Sequence, residues 1–286
     1  ILTNEDMQKI RKISEIGDNH FVSRVLDTTF DKNTGYKGFE ECLENICIKA
    51  ESVVKEGGNI IVLSDRQFGK DRIALPALLA IASVHHHLIR KGLRTAVGLV
   101  VESAEPREVH HFAVLAGYGA EAINPYMAFD TILDLQRKDM LTKDVSEIEA
   151  VSRYIKSINK GLLKVMSKMG ISTYQSYCGA QIFDAVGLSE DFVRDYFKGT
   201  STQISGVGLN EIAKETITRH DEAYSNLEVL RDSLDVGGDY AVRKRGEVHA
   251  WSSDEIANLQ HAVRSNSFNT FKEYSKSMDE QEERLF

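Results

Sequence analysis

Three short apolar runs in the first half of the chain predict strands that are covered on both faces. They occupy residues 59–63, 95–101 and 121–123, and they lack the alternation of polar residues that is typical of a half-exposed strand. Each run is followed by a stretch with helical periodicity. The repeated order of strand and helix predicts an α/β fold with a parallel sheet of βα repeats, either an incomplete (βα)-barrel-like arrangement or a doubly wound layer.

The three prolines of the chain mark the predicted helix starts. Pro76, Pro106 and Pro125 each stand after a strand run and directly before a helical pattern. Proline is favoured in the first turn of a helix because its missing N–H group would have no partner there in any case. The prolines therefore support the division of residues 59–136 into alternating strands and helices.

The pattern is interrupted and then resumes in the second half. The polar residues 137–149 predict a loop or an insertion, and residues 157–169 predict an amphipathic helix that Gly170 ends. A short strand at 171–173 and a helix at 179–186 would then add one more αβα unit.

The last part of the chain has a different character. Residues 209–223 predict a helix, and residues 240–243 and 248–251 predict a hairpin around a glycine-containing turn. Ser252, with Glu255 three residues later, forms a capping box and predicts another helix. These patterns divide the chain into a helical N-terminal lead-in at 1–58, an α/β central domain at 59–230, and a C-terminal hairpin with helices at 231–286.

Composition narrows the classes of function. The chain has 286 residues, and its 35 basic and 43 acidic residues give a net charge of −8, which argues against a nucleic-acid-binding surface. The most apolar run, residues 73–84, is too short to span a bilayer, so no membrane segment is expected. Three cysteines without CxxC spacing argue against a disulfide framework and favour a cytoplasmic location. Because the first residue is Ile1, we interpret the chain as a piece of a longer polypeptide.

Polar residues follow most of the strand runs. In parallel α/β folds the carboxyl ends of the strands form the edge where ligands bind. These residues therefore predict a polar rim, with the alternative that the serines and asparagine only cap the following helices and that Asp65 and Arg66 form a surface pair. The candidate rim consists of Ser64, Asp65, Arg66, Glu102, Ser103, Asn124, Ser172, Thr173 and Gln175.

The histidines, the cysteines and a glycine-rich segment give weaker indications. The run 85–87 cannot converge on one metal ion, because adjacent helical residues diverge by about 100°. Cys178 has no recognisable general base nearby in the sequence, and the cysteine spacing does not match an iron–sulfur site. Residues 205–208 form only a GxG fragment. We therefore expect no catalytic, cofactor-binding or metal-ligating residue on these grounds.

Several long segments resemble the central region of the large subunit of glutamate synthase. They include ASVHHHLIRKGLRTAVGLVVESAEPREVHHFAVLAGYGAEAINPYMAFDTI at 82–132, KGLLKVMSKMGISTYQSYCGAQIFDAVGL at 160–188 and YFKGTSTQISGVGLNEIAKE at 196–215. Shorter segments near both ends, such as the residues at 26–30 and 256–264, are similar to the same family. The resemblance therefore covers nearly the whole chain.

The resemblance implies a role without chemistry of its own. The family makes two glutamates from glutamine, 2-oxoglutarate and reductant, and it uses FMN and an iron–sulfur cluster that this chain is expected not to hold. The chain is similar to the α/β connector between the glutaminase and FMN-binding domains, which would be its partners in the same polypeptide, with a reductase subunit or ferredoxin as electron donor. The alternative is an autonomous enzyme that uses the rim on a small anionic substrate.

Overall fold

The structure is a computed structural model, and it describes residues 1–16, 20–142, 145–225, 242–243, 246 and 249–281. The chain divides into two compact units, Ile1–Tyr224 and Ser225–Phe286. The strands are β1 (Ser23–Asp27), β2 (Thr29–Asp31), β3 (Ile60–Ser64), β4 (Arg72–Ala74), β5 (Gly98–Glu102), β6 (Ala122–Asn124), β7 (Asp184–Leu188) and β8 (Ser201–Val207).

The first unit also contains ten α-helices among its described residues. They are α1 (Asn4–Arg11), α2 (Ile13–Ile16), α3 (Gly35–Lys55), α4 (Ala77–Arg90), α5 (Val109–Gly117), α6 (Tyr126–Arg137), α7 (Glu147–Met169), α8 (Tyr174–Tyr177), α9 (Glu190–Tyr196) and α10 (Leu209–Ala223). Two short 3-10 helices lie at Lys32–Thr34 and Arg94–Ala96.

The main sheet has four parallel strands in the order β1-β3-β5-β6. In this register Leu63 lies opposite Leu26 on one side and Val101 on the other, and Ile123 lies next to Val101. The strand order follows the chain without the reversal that a doubly wound layer requires. The predicted α/β fold is therefore confirmed, and the order matches a segment of a (βα) barrel.

One face of the sheet packs on α3, α4 and α5 and forms the main core. Helix α3 shows why the sequence folds this way, since Phe39, Leu43, Ile46 and Ala50 recur every three or four residues and are all buried. Burial of one such large side chain contributes about 1.5–3 kcal/mol. The connecting helices are thus held on one side of the sheet.

The opposite face carries a smaller apolar cluster under α1. Met7 packs there on Val62 and Val100. Helix α1 begins with a capping box, in which Thr3 and Asp6 each accept a hydrogen bond from the other's backbone N–H at 3.1 Å. The N-terminal residues therefore form a layer on the face of the sheet that the connecting helices leave uncovered.

Most predicted elements of the α/β region are present. The three apolar runs form β3, β5 and β6, with bounds shifted by no more than three residues. Pro76 and Pro125 are the N-cap residues of α4 and α6, whereas the helix after Pro106 begins only at Val109. Helix α10 has the predicted bounds. Helix α7 begins at Glu147, ten residues before the predicted start at 157, so the loop that precedes it is shorter than the predicted loop at 137–149.

The prediction of one further αβα unit after Gly170 is wrong. Residues 171–173 are not a strand, and the predicted helix at 179–186 is replaced by strand β7, which pairs in parallel with β8. Gly179 and Gln181 have φ angles of 76° and 53°. A right-handed helix cannot run through two residues in the left-handed region, so the chain becomes extended instead.

The segment expected to be a helical lead-in also supplies strand β1, the edge of the main sheet. Strand β2 follows it and pairs antiparallel with β4, with Phe30 opposite Ile73. The domain boundaries at 58 and 230 stay a prediction.

The second unit contains the helices α11 (Ser253–Ser265) and α12 (Phe268–Asp279). Ser252 caps α11 and donates a hydrogen bond to Glu255, so the predicted helix start is confirmed. Ser277 of α12 donates to Glu255 at 3.0 Å and ties the two helices together.

The predicted hairpin at 240–243 and 248–251 falls largely outside the described residues. In the part that the structure describes, no helix is long and apolar enough to cross a membrane.

Candidate functional site

The carboxyl ends of β3, β5 and β6 bring six of the nine predicted rim residues together. The parallel register places Ser64 opposite Glu102 and Glu102 opposite Asn124, and the following residues of each strand end at the same edge. The six residues are Ser64, Asp65, Arg66, Glu102, Ser103 and Asn124. We call this set the carboxyl-edge cluster.

Glu102 is the centre of the carboxyl-edge cluster and is fully buried. Its carboxylate accepts hydrogen bonds from Ser64 Oγ at 2.6 Å and from Arg66 Nε at 2.7 Å. Arg11 of α1 donates to the same carboxylate through Nη2. A buried carboxylate is costly unless its charge is paired, and here two guanidinium groups pair with it.

Arg66 is shared between several groups of the chain. Its guanidinium lies 4.1 Å from the centre of the Tyr126 ring, and Nη2 donates to Asn4 Oδ1 at 3.3 Å, in addition to its bond with Glu102. Stacking on an aromatic face and a fixed ion pair both restrict the rotamers of an arginine. This arginine is therefore held by the protein itself.

Asp65 is buried beside this group and is equally engaged. Its carboxylate accepts hydrogen bonds from Tyr126 Oη at 2.5 Å, Ser103 Oγ at 2.6 Å and the backbone N–H of Ala104 at 2.9 Å. Burial raises the pKa of Asp65 although these hydrogen bonds act in the opposite direction. Burial and the neighbouring carboxylate of Asp65 also raise the pKa of Tyr126.

Asn124 joins the N-terminal residues to the sheet. Its Nδ2 donates to the carbonyl oxygen of Leu2 at 3.0 Å and to Asn4 Oδ1 at 3.1 Å, and the Leu2 N–H donates to the carbonyl oxygen of Ile123 at 2.9 Å. The residues that precede and begin α1 therefore seal the edge of the sheet at this point.

The other three predicted rim residues lie near the amino-terminal edge of the sheet. Thr173 is the N-cap of α8, and Gln175 lines a cavity of about 450 Å³ with Arg94 and Gly98, at the start of β5. Ser172 lines a different cavity next to Met166. The structure does not bring Ser172, Thr173 and Gln175 to the carboxyl edge, because residues 171–173 are not a strand of the sheet.

Sequence reasoning missed three members of this arrangement. Tyr126 stands two residues after Asn124, so its position directly after β6 was a usable signal. Arg11 and Asn4 are more than 90 residues from Glu102 and from Asn124 along the chain, and no local pattern connects them.

The chemistry open to this arrangement is limited because its carboxylates are already hydrogen-bonded. A general base needs a free lone pair directed at a substrate proton. Both carboxylates are buried and accept several hydrogen bonds from the protein, whereas Arg66 is exposed and keeps N–H groups beyond those that it donates to Glu102 and Asn4. The arrangement ties α1, β3, β5 and α6 together, which is a structural effect.

The described residues do not fit the cofactors that the resemblance implies. Burial raises the pKa of Cys42, Cys47 and Cys178 to about 11, 12 and 11, whereas an iron–sulfur cluster requires clustered thiolates. At the start of α10, after the GxG fragment, the Gly208 N–H donates to Glu211 Oε2 at 2.9 Å, so this glycine is part of an ordinary helix cap.

Metal ligands are also missing from the part of the chain that the structure describes, since no group of three or more His, Cys, Asp or Glu residues could hold an ion. Burial lowers the pKa of His85 to about 3 and that of His86 to about 4, so both are neutral near pH 7. These histidines are part of the packing between α4 and its neighbours.

A family model described as the glutamate synthase central domain matches residues 1–189. The chain belongs to this family. It is 44% identical over 281 residues to the large chain of the NADPH glutamate synthase of Bacillus subtilis strain 168. The aligned residues are 98% of this chain and 18% of the relative. It is 39% identical over 286 residues to the NADH glutamate synthase of Schizosaccharomyces pombe, covering 99% of this chain and 14% of the relative.

A third relative is the ferredoxin-dependent glutamate synthase of Pyropia yezoensis, which is 40% identical over 249 residues, or 84% of this chain and 16% of the relative. The chain thus spans less than a fifth of the length of these glutamate synthases. These three relatives are named for different electron donors, NADPH, NADH and ferredoxin, and their identity to this chain is 44%, 39% and 40%.

The matched residues 1–189 of the central domain contain the complete four-stranded sheet and the carboxyl-edge cluster. Strand β7 ends at Leu188, so β8 and α10 lie beyond the matched part. The resemblance that the sequence shows to the glutamate synthase central region is confirmed.

Proposed function

We propose that this chain is the connecting domain of a glutamate synthase polypeptide and contributes a rigid shape instead of reactive groups. It holds a glutaminase domain and an FMN-binding domain at a set separation, so that ammonia released at one site reaches the other without loss to solvent. The complete protein would convert glutamine, 2-oxoglutarate and reductant into two glutamates.

The observation that carries this proposal is the state of the carboxyl edge. In α/β enzymes that edge holds substrates, but here Glu102 and Asp65 are buried and bound by side chains of the chain itself. The same bonds fasten the ends of β3 and β5 and the start of α6 to one another. Such rigidity supports catalysis in neighbouring domains, because a misplacement of reacting groups by about 1 Å can lower a rate about a hundredfold.

The cofactors and the wider assembly belong to the same proposal. FMN and the iron–sulfur cluster would be held by other domains of the polypeptide, and electrons would come from a reductase subunit or from ferredoxin. The cytoplasm is the proposed location. The net charge of −8 supports a protein without nucleic-acid partners.

The alternative, an autonomous enzyme acting on a small anionic substrate, is not favoured. It would need Asp65 or Glu102 as acid or base and Arg66 or Asn124 as the anion-binding group. All four side chains are engaged with groups of the protein.

The first experiment uses the 286-residue chain by itself. We expect a folded, colourless protein that neither hydrolyses glutamine nor forms glutamate from 2-oxoglutarate. Stable flavin that purifies with the chain, or turnover of an amide or a keto acid, would overturn the proposal.

The second experiment uses a complete glutamate synthase that contains this segment. Glu102→Gln loosens the carboxyl-edge cluster, so we expect more ammonia released to solvent per glutamate formed while glutamine hydrolysis itself continues. Glu41→Gln, which removes an exposed pair with Lys37, is the matched control. An unchanged ratio of ammonia to glutamate in a folded Glu102→Gln enzyme would contradict the proposed role.

A further inference from the structure

Helix α1 is attached to the sheet differently from the connecting helices α3, α4 and α5. Helices α3, α4 and α5 pack into one continuous core with the inner face of the sheet. The apolar contacts of α1 form a separate and much smaller cluster on the other face, in which Met7 is the only buried residue of the helix. The hydrophobic contribution to the docking of α1 is therefore small compared with that of α3.

The rest of the attachment of α1 is polar and is concentrated at the carboxyl edge. Arg11, at the end of the helix, donates to the buried Glu102. Asn4, at its beginning, accepts hydrogen bonds from Asn124 at 3.1 Å and from Arg66 at 3.3 Å. The two ends of the helix are thus fastened to the ends of β5 and β6.

Most hydrogen bonds of the two buried carboxylates at the carboxyl edge do not involve α1. Glu102 retains Ser64 and Arg66, so its charge stays paired. The three donors of Asp65 all lie outside α1. No residue of α1 itself belongs to the main core, which lies on the opposite face. The departure of α1 therefore leaves a sheet that can remain folded.

We propose that α1 is a strap that opens as a unit from the folded sheet, with the Arg11–Glu102 pair as its latch. Segments with few buried apolar contacts open locally at a lower free energy than global unfolding requires. Opening uncovers Glu102 and Asn124 at the edge where α/β proteins hold ligands. The strap is a conformational property of this chain and does not depend on the proposed scaffold role.

Hydrogen exchange followed by mass spectrometry on the unaltered 286-residue chain is the first test. We expect the amides of α1 to exchange at least about a hundredfold faster than those of α4, and with little dependence on added urea, because local opening exposes little surface. If α1 and α4 exchange at the same rate and with the same dependence on urea, α1 opens only by global unfolding and the proposal is wrong.

A variant pair tests the latch. Arg11→Met keeps the length of the side chain and removes its charge, so we expect exchange in α1 to become at least about tenfold faster while exchange in α4 stays unchanged. Lys9→Met is the control on the same helix, since Lys9 is exposed and pairs with the exposed Glu5, and it should change exchange by less than about threefold.

The results of the variants separate a latch from a general structural role. If Arg11→Met accelerates exchange in α1 and in α4 equally, Arg11 supports the whole unit and the strap is refuted. If Lys9→Met has the same effect as Arg11→Met, the pair with Glu102 is not the latch. Should Arg11→Met fail to fold, that failure also contradicts the proposal, because a strap is dispensable for the folded sheet.

Discussion

Tyr126 donates a hydrogen bond of 2.5 Å to the buried Asp65, and the same aromatic ring lies under the guanidinium of Arg66. One side chain at the start of α6 thus contacts the carboxylate of Asp65 and also the arginine that pairs with the second carboxylate, Glu102. The hydroxyl acts on Asp65, and the ring acts on the arginine that pairs with Glu102.

The two functions of Tyr126 can be separated by Tyr126→Phe, which removes the hydroxyl and keeps the ring under Arg66. We expect the free energy of unfolding to fall by about 1–3 kcal/mol, because a buried carboxyl group loses one of its donors. Urea denaturation measures the change. Tyr154→Phe, which removes a hydroxyl that donates to the carbonyl oxygen of Arg107, is the control and should cost less. If both variants lost the same free energy of unfolding, the hydrogen bond to Asp65 would contribute no more than an ordinary tyrosine hydroxyl.

Glu102→Gln tests the pairing of charges at the centre of the carboxyl-edge cluster. The substitution preserves the shape of the side chain and leaves Arg11 and Arg66 without their carboxylate, so we expect a loss of about 3 kcal/mol. The exposed pair of Glu41 with Lys37 offers the control, and Glu41→Gln should change stability by less than about 1 kcal/mol. A Glu102→Gln chain as stable as the unaltered chain would show that the buried charge contributes nothing.

Acid should destabilise the fold through the buried histidines. Burial lowers the pKa of His85 to about 3 and that of His86 to about 4, from the usual value of 6.5. Between about pH 6.5 and pH 4 the unfolded chain therefore binds protons that the folded chain does not, and the free energy of unfolding falls as the pH is lowered. Each histidine contributes at most about 1.4 kcal/mol per pH unit. The raised pKa of Asp65 acts in the opposite direction.

His86→Leu removes one of these two groups. His86 Nε2 is buried and has no hydrogen-bond partner in the described part of the chain, so the variant should gain about 1 kcal/mol at pH 7 and lose less stability between pH 7 and pH 5. Urea denaturation at pH 5, 6 and 7 measures both effects. His110→Leu, which replaces an exposed histidine of α5, is the matched control. If the free energy of unfolding of His86→Leu fell with decreasing pH as steeply as that of the unaltered chain, His86 would not contribute to the loss of stability in acid.

Gly161 should be an exception to the usual helix propensity. In a helix, Gly→Ala normally stabilises by about 1 kcal/mol. A Cβ atom at Gly161 in α7 would lie 2.2 Å from a methyl carbon of Val109 in α5, so we expect Gly161→Ala to destabilise the chain by about 1–3 kcal/mol. The melting temperature measures this, with the exposed Ser157→Ala in the same helix as control. A stabilised Gly161→Ala chain would contradict the close packing of α5 on α7.

The sequence predicted β3, β5 and β6 but neither β1 nor β8, for a physical reason. Strands β3 and β5 are covered on both faces, so they stand out as continuous apolar runs. Strand β1 lies at the edge and mixes buried with exposed residues, and β8 is mostly exposed. Neither strand has a hydrophobic pattern that distinguishes it from a loop.

The candidate site was predictable as far as it depends on the sheet. Residues that follow parallel strands must share an edge, which is why Ser64, Glu102 and Asn124 come together as expected. Thr173 and Gln175 were misplaced because the strand that should have carried them does not form. The positive φ of Gly179 and Gln181 depends on packing that no local pattern reveals.

The sequence by itself determined the α/β class, the helix starts at Pro76 and Pro125 and the membership of the glutamate synthase central domain family, since these depend on local periodicity or on long matching segments. Only the tertiary structure decided that the carboxyl edge is closed. Closure depends on Arg11 and Asn4, which lie far from Glu102 and Asn124 in the chain and reach them only because α1 folds back on the sheet.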